Sequence, residues 1–311
     1  MAPAAPRIRT GPVACVLALI PLLLACSQAT PPASLSPPPT AGATPSPLPA
    51  ITPSPPQTTT PRPTRAAGPV SPTPPTCLAE PGSVVVTELV DPALPRSLPY
   101  RIYLPPCFGL PETKGYPVLY LLHGLDRTDS QWDDLGADEA ADRLIAAGDA
   151  PPFLMVMPWE RKGLDFESVL VDFLLPAIER EYLALPNRSG RAMAGISRGA
   201  GWALRIGTNH PEVFGAVGLH SLAVLVPDLY NLPGLLAGLP PDSLPRLWID
   251  IGARDPLRVS ALQLASLLDE EGVRYTWRLY PGWHTEEYWA AHLEVYLRWH
   301  VAQWQDVPLN P

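Results

Sequence analysis

Of the 311 residues, 30 are acidic and 22 basic; every acidic residue falls within 77–311, whereas Arg7, Arg9, Arg62 and Arg65 precede it. The C-terminal part is therefore strongly acidic, which argues against a nucleic-acid-binding surface.

Residues 1–25 have the pattern of an export signal. Arg7 and Arg9 supply positive charge, and 13–25 is almost wholly apolar. That run is short for a membrane span and right for a signal peptide. It ends Leu23-Leu24-Ala25-Cys26, which resembles the bacterial lipobox. The resemblance implies lipidation of Cys26 and an exported chain held on the outer face of the cell membrane. An ordinary secretory signal and an uncleaved anchor are the alternatives. Residues 26–76 are roughly two-thirds Pro, Ser and Thr, without an acidic residue, so they cannot bury enough apolar surface to offset their ordering entropy. They read as a disordered, semi-rigid, polyproline-rich tether.

Residues 77–311 suffice for one domain with a large core. Cys77 and Cys107 are its two cysteines. In an exported chain they are expected to bridge, pinning the domain's start to the strand that ends near 105; two free thiols are the alternative. Neither has a Cys or His at ligand spacing, so no metal is expected.

Strands are expected at 83–90 and 99–104, a buried strand at 117–122, a helix at 137–147 and a buried strand at 153–157. A helix follows at 166–183, despite Pro176. A short strand at 191–194 leads to a helix at 198–208, then strands at 213–219 and 247–251, a helix at 259–268, a strand at 274–280 and a last helix at 286–304. Residues 222–245, rich in Leu and Pro, fit neither template and read as an insertion, either a lid or a surface excursion. Buried strands alternating with helices specify an α/β fold: a mostly parallel sheet covered on both faces, with the opening pair antiparallel at one edge.

Residues 195–199, Gly-Ile-Ser-Arg-Gly, place Ser197 in G-x-S-x-G, a pattern that arises by chance in roughly one chain in ten of this length. Its setting is more telling: a buried strand before, a helix after, as a strand-to-helix nucleophile elbow requires. A serine nucleophile needs a base, a group to orient that base, and donors for the oxyanion. Asp255 lies just past the strand at 247–251, whereas Asp250 lies within it and points into a packed layer. His284 follows the strand at 274–280; His292 and His300 fall inside the last helix. The order Ser197, Asp255, His284, each after its own strand, is that of the α/β-hydrolases. The backbone N–H groups of Arg198 and of Leu125, in the turn His123-Gly124-Leu125, are the expected oxyanion donors. His123, Trp132, Trp159 and Trp283 are candidate substrate-binding residues, with simple packing the alternative for the tryptophans. No cofactor fingerprint appears.

LYLLHG (119–124), GISRG (195–199), GARD (252–255), His284 before the last helix and the opening RIYLPPCF (101–108) resemble the esterase D-like branch of the α/β-hydrolases. That branch includes feruloyl and acetyl xylan esterases, S-formylglutathione hydrolases, enterochelin esterases and mycolyltransferases. The resemblance covers 77–311. It implies the α/β-hydrolase fold and a serine esterase acting on a small-molecule or polysaccharide-linked ester, which the leader would export. An acyltransferase to a sugar or other alcohol, or a non-catalytic surface binding protein on the same fold, are the alternatives. Many members carry Met after the nucleophile and then a Gly pair; Arg198, Gly199 and Ala200 stand here, and the Arg198 side chain is expected to pair with a buried acid or a substrate carboxylate. Metabolic labelling with a fatty acid is expected to mark the wild-type chain and not Cys26→Ala; equal label in both removes the lipoprotein expectation.

Overall fold

Side-chain alternation along the central strands dictates the layering. In β3 (Val118–Leu122), Val118, Tyr120 and Leu122 enter one core while Leu119 and Leu121 enter another. β4 (Leu154–Pro158) divides likewise, with Leu154 and Val156 against Met155 and Met157. A strand buried on both faces needs a helical layer on each.

The structure, a computed structural model, describes residues 77, 80–111 and 113–305. The expected signal, Cys26 and the tether lie outside the described residues. Eight strands form one sheet in the order β1-β2-β4-β3-β5-β6-β7-β8. β1 (Ser83–Leu89) pairs antiparallel with β2 (Leu98–Leu104), and β2 antiparallel with β4. The remaining pairs, through β5 (Arg191–Ile196), β6 (Ala216–His220), β7 (Arg246–Gly252) and β8 (Tyr275–Tyr280), are parallel. One face carries α3 (Phe166–Ser168), α4 (Leu175–Glu181), α5 (Arg198–Asn209), α6 (Asp228–Gly238) and α7 (Arg258–Glu270). The other carries α1 (Gln131–Asp134), α2 (Ala137–Ala146) and α8 (Glu286–Val301). This is the α/β-hydrolase architecture expected from the sequence.

The chain steps outward from β3 to β4 and then returns to the opposite side of β3 as β5. That reversal opens a crevice at the carboxyl ends of β3 and β5, where open parallel sheets hold their ligands.

Two expectations are corrected. The helix expected at 166–183 is broken: a π-helical turn, Val169–Leu174, separates α3 from α4. Pro176 lacks an N–H and its ring crowds the carbonyl four residues back, and the wider turn just before it relieves both. Residues 222–245 are not structureless. They contain α6 and a 3-10 turn, Pro241–Ser243, although Pro233 sits inside the helix. Leu232 and Leu236, one turn apart, bury into the core, and Arg205 grips Asp228 at the helix start through both Nε and Nη2. Packing thus overrides the proline's cost.

Cys77 and Cys107 form a disulfide, Cα atoms 5.3 Å apart, closing a loop of sequence separation 30. A loop of this length restricts the unfolded chain by about 3–4 kcal/mol in the chain-entropy account. Cys77→Ser/Cys107→Ser is expected to lower the urea midpoint correspondingly, as followed by tryptophan fluorescence.

Candidate active site

Four strand ends meet at the crevice. β5 ends one residue before Ser197, whose backbone is turned to φ 56° and ψ −116° before α5 begins. Such a reversal needs missing side chains on both flanks. A Cβ on Gly195 would overlap the backbone of Gly199, and one on Gly199 would overlap the Leu122 carbonyl at the end of β3. Ser197 N–H still donates to the His220 carbonyl at 2.8 Å, keeping the elbow stitched to β6.

Past β7, Asp255 is 4% exposed, and past β8 comes His284. His284 Nδ1 lies 2.9 Å from Asp255 Oδ2, and His284 Nε2 lies 3.0 Å from Ser197 Oγ. A carboxylate only accepts, so Nδ1 carries a proton, which in a neutral imidazole leaves Nε2 bare toward the serine hydroxyl. Burial by itself pushes the Asp255 carboxyl up, but hydrogen bonds from His284, the Leu257 N–H and Ser221, with the imidazole charge, outweigh it and hold the carboxyl below its ordinary range. The geometry thus aligns a hydroxyl, an unprotonated imidazole nitrogen and an ionised carboxylate, able to remove a proton from Ser197.

Opposite this row lies the turn after β3. A Cβ on Gly124 would stand 3.7 Å from the Ser197 Cβ, so the turn lies directly against the elbow. Among the described residues, no protein acceptor takes the N–H of Leu125 or of Arg198. Gly124 N–H, by contrast, is taken by Gln131 Oε1 at 2.7 Å.

The candidate substrate-binding residues divide. Trp283, next to His284, is 57% exposed and Leu125, next to Gly124, 63%, so both offer apolar surface on the loops that carry this row. Trp132 is corrected: it is buried in the α2/α8 core, with Nε1 donating to the Leu122 carbonyl at 3.1 Å. His123 is corrected too, because both ring nitrogens are already engaged. Nδ1 meets the Gly124 carbonyl at 2.8 Å, and Nε2 accepts the Glu160 N–H at 2.9 Å. Burial, partly countered by the Gly124 contact, lowers its pKa and keeps the ring neutral. Trp159 is half-buried, with the Arg161 guanidinium 5.2 Å from its ring centroid.

The Arg198 side chain forks onto Glu160, Nε to Oε2 at 2.8 Å and Nη2 to Oε1 at 2.5 Å. It therefore pairs with an acid on the loop after β4, and that same residue's backbone fixes His123. Glu160, Gln131, Ser221 and Trp289 carried no usable signal in the sequence. Ser221 is fully buried and left-handed at φ 50°, and its Oγ accepts from Trp289 Nε1 at 3.0 Å. Trp289 also turns its ring edge-on to His284, centroids 5.0 Å apart.

The fold and this row of side chains define an α/β-hydrolase. Residues 92–300 match the family described as "Putative esterase", and the chain belongs to that family of ester hydrolases. An endo-1,4-beta-xylanase/feruloyl esterase of Xylanibacter ruminicola is 35% identical over 145 residues, 41% of this chain and 20% of the relative. The match thus spans about a fifth of that longer protein. A solved ferulic acid esterase is 27% identical, with a TM-score of 0.65 over 72% of this chain and 99% of its own. An S-formylglutathione hydrolase of Staphylococcus aureus, 18% identical, shares the fold with a TM-score of 0.60 over 71% and 96% of the two chains.

The depressed Asp255 pKa makes stability pH-dependent in a defined direction. Below the unfolded value of about 3.9 the unfolded chain binds more protons than the folded one, so stability falls as pH falls through the folded pKa. Asp255→Asn is expected to flatten this acid-side loss, read from urea midpoints between about pH 6 and 3.

Proposed function

We propose that this chain is a serine esterase acting through Ser197, His284 and Asp255. The observation that carries the reading is the continuous contact from Ser197 Oγ to His284 Nε2 to Asp255, at 3.0 and 2.9 Å. Ser197 Oγ attacks the ester carbonyl carbon while His284 Nε2 takes its proton. The N–H groups of Leu125 and Arg198 hold the oxygen that becomes negative. The tetrahedral intermediate collapses, the C–O bond to the alcohol breaks, and His284 returns the proton to the leaving oxygen. Water, deprotonated by His284, then releases the acid and restores Ser197. Asp255 keeps the imidazole in the productive tautomer and offsets its transient charge.

For the substrate we infer a feruloyl-type ester, an aromatic acyl group on a sugar hydroxyl of a polysaccharide. The similarity to feruloyl esterases supports it, as do Trp283 and Leu125, whose exposed apolar surfaces suit a planar acyl group. The apolar run ending at Cys26 supports an exported, lipid-anchored enzyme working at the cell envelope.

Ser197→Ala is expected to abolish turnover of p-nitrophenyl acetate and of a ferulate ester, by a factor reaching ~10⁶. Near-normal turnover in that variant refutes the assignment of the nucleophile. In the wild type, kcat/KM for methyl ferulate is expected to exceed that for acetyl and long-chain esters, and the reverse order refutes the acyl preference.

A further inference from the structure

The turn that carries Leu125 is anchored from outside the triad, by a side chain the mechanism above does not use. Gln131, in α1, is 3% exposed. Its Oε1 accepts the Gly124 N–H at 2.7 Å, and its Nε2 donates to Glu286 Oε1 at 3.1 Å. Glu286 opens α8, two residues beyond His284, and its Oε1 also receives Arg127 Nη2 at 2.9 Å. A primary amide offers an acceptor and a donor on one rigid plane. Alongside the Arg127–Glu286 pair, it therefore joins the turn holding the oxyanion donor to the helix start behind the base.

The engagement at Gly124 also bears on direction. Gly124 and Leu125 present consecutive N–H groups, and with the first bound to Gln131 the His123–Gly124 peptide plane, from which the next one hinges, is fixed. The next plane, Gly124–Leu125, which carries the Leu125 N–H, is fixed as well, since His123 holds its carbonyl and is itself held by the Glu160 N–H. The Leu125 N–H is thus the donor left to face Ser197. An oxyanion donor works by being aimed, before reaction, at where charge develops, and a small misdirection forfeits much of the benefit.

The geometry points to Gln131 as a positioning residue for ester hydrolysis: it aims the Leu125 N–H by gripping Gly124 and ties that aim to the His284 loop through Glu286. This rests on the serine-esterase reading above. Because the oxyanion exists in the transition state and not in the ground state, loss of aim lowers kcat while leaving KM nearly unchanged.

Three variants test it with p-nitrophenyl acetate as substrate. Gln131→Leu keeps the side chain's size but neither accepts nor donates; kcat is expected to fall at least about tenfold, with KM within about twofold. Gln131→Glu/Glu286→Gln reverses the polarity of the bridge yet keeps both hydrogen bonds, since the carboxylate introduced in α1 would accept from the Gly124 N–H and from the amide introduced at the start of α8. Its kcat is expected within about threefold of wild type. Ser197→Ala serves as reference. If Ser197→Ala is inactive while Gln131→Leu retains wild-type kcat, Gln131 is merely structural and the inference is overturned while the triad stands. If Ser197→Ala retains turnover, the reading beneath the inference fails. Should Gln131→Leu not fold, the polarity-reversed pair decides: a folded protein with near-wild-type kcat supports the bridge, and a folded but slow one overturns it.

Discussion

The active end of the sheet depends on one backbone constraint, the reversal at Ser197. A non-glycine residue held at φ 56°, ψ −116° costs on the order of 1–3 kcal/mol, so the surroundings must impose it. They do so from three sides. The Ser197 N–H extends the ladder to β6, and its carbonyl accepts from the Gly201 and Ala223 N–H groups. The bare flanks at Gly195 and Gly199 let α5 press against the end of β3. Release of any one would let the serine hydroxyl swing away from the line to His284.

A second anchor lies beneath the site. Asp250 is completely buried and receives four donors: His220 Nδ1, Trp248 Nε1, and the hydroxyls of Tyr288 and Tyr296. A buried carboxylate is tolerable only when so fully satisfied. Since its partners come from β6, β7 and α8, Asp250 locks the floor on which the Asp255 and His284 loops rest. The alternation that placed Asp250 in a packed layer, and so set it apart from Asp255, reflects a real division of labour between two carboxylates five residues apart.

The layered α/β fold, the strand sequence and the convergence of Ser197, Asp255 and His284 at the strand ends are readable because each leaves a periodic or positional mark. Buried strands show as apolar runs, and functional side chains follow their carboxyl ends. The π-helical turn before Pro176 and α6 around Pro233 were not readable, because both are settled by packing that local propensity does not encode. Trp132 and His123 are ambiguous for a similar reason: residues beside strand ends look functional until their polar atoms are traced to backbone partners. Gln131, Glu160, Ser221 and Trp289 act by distance across the fold, and a single amide or hydroxyl carries no spacing rule that reveals it.

The ion pair of Arg198 with Glu160 has a consequence for how this sequence can drift. Arg198 follows the nucleophile directly, and Glu160 is two residues past β4, so the pair joins segments 38 positions apart. Replacing either alone leaves the other without its ion-pair partner, at a position flanking Ser197. The two sites are therefore energetically coupled, and a change in the residue that follows Ser197 is felt on the neighbouring loop.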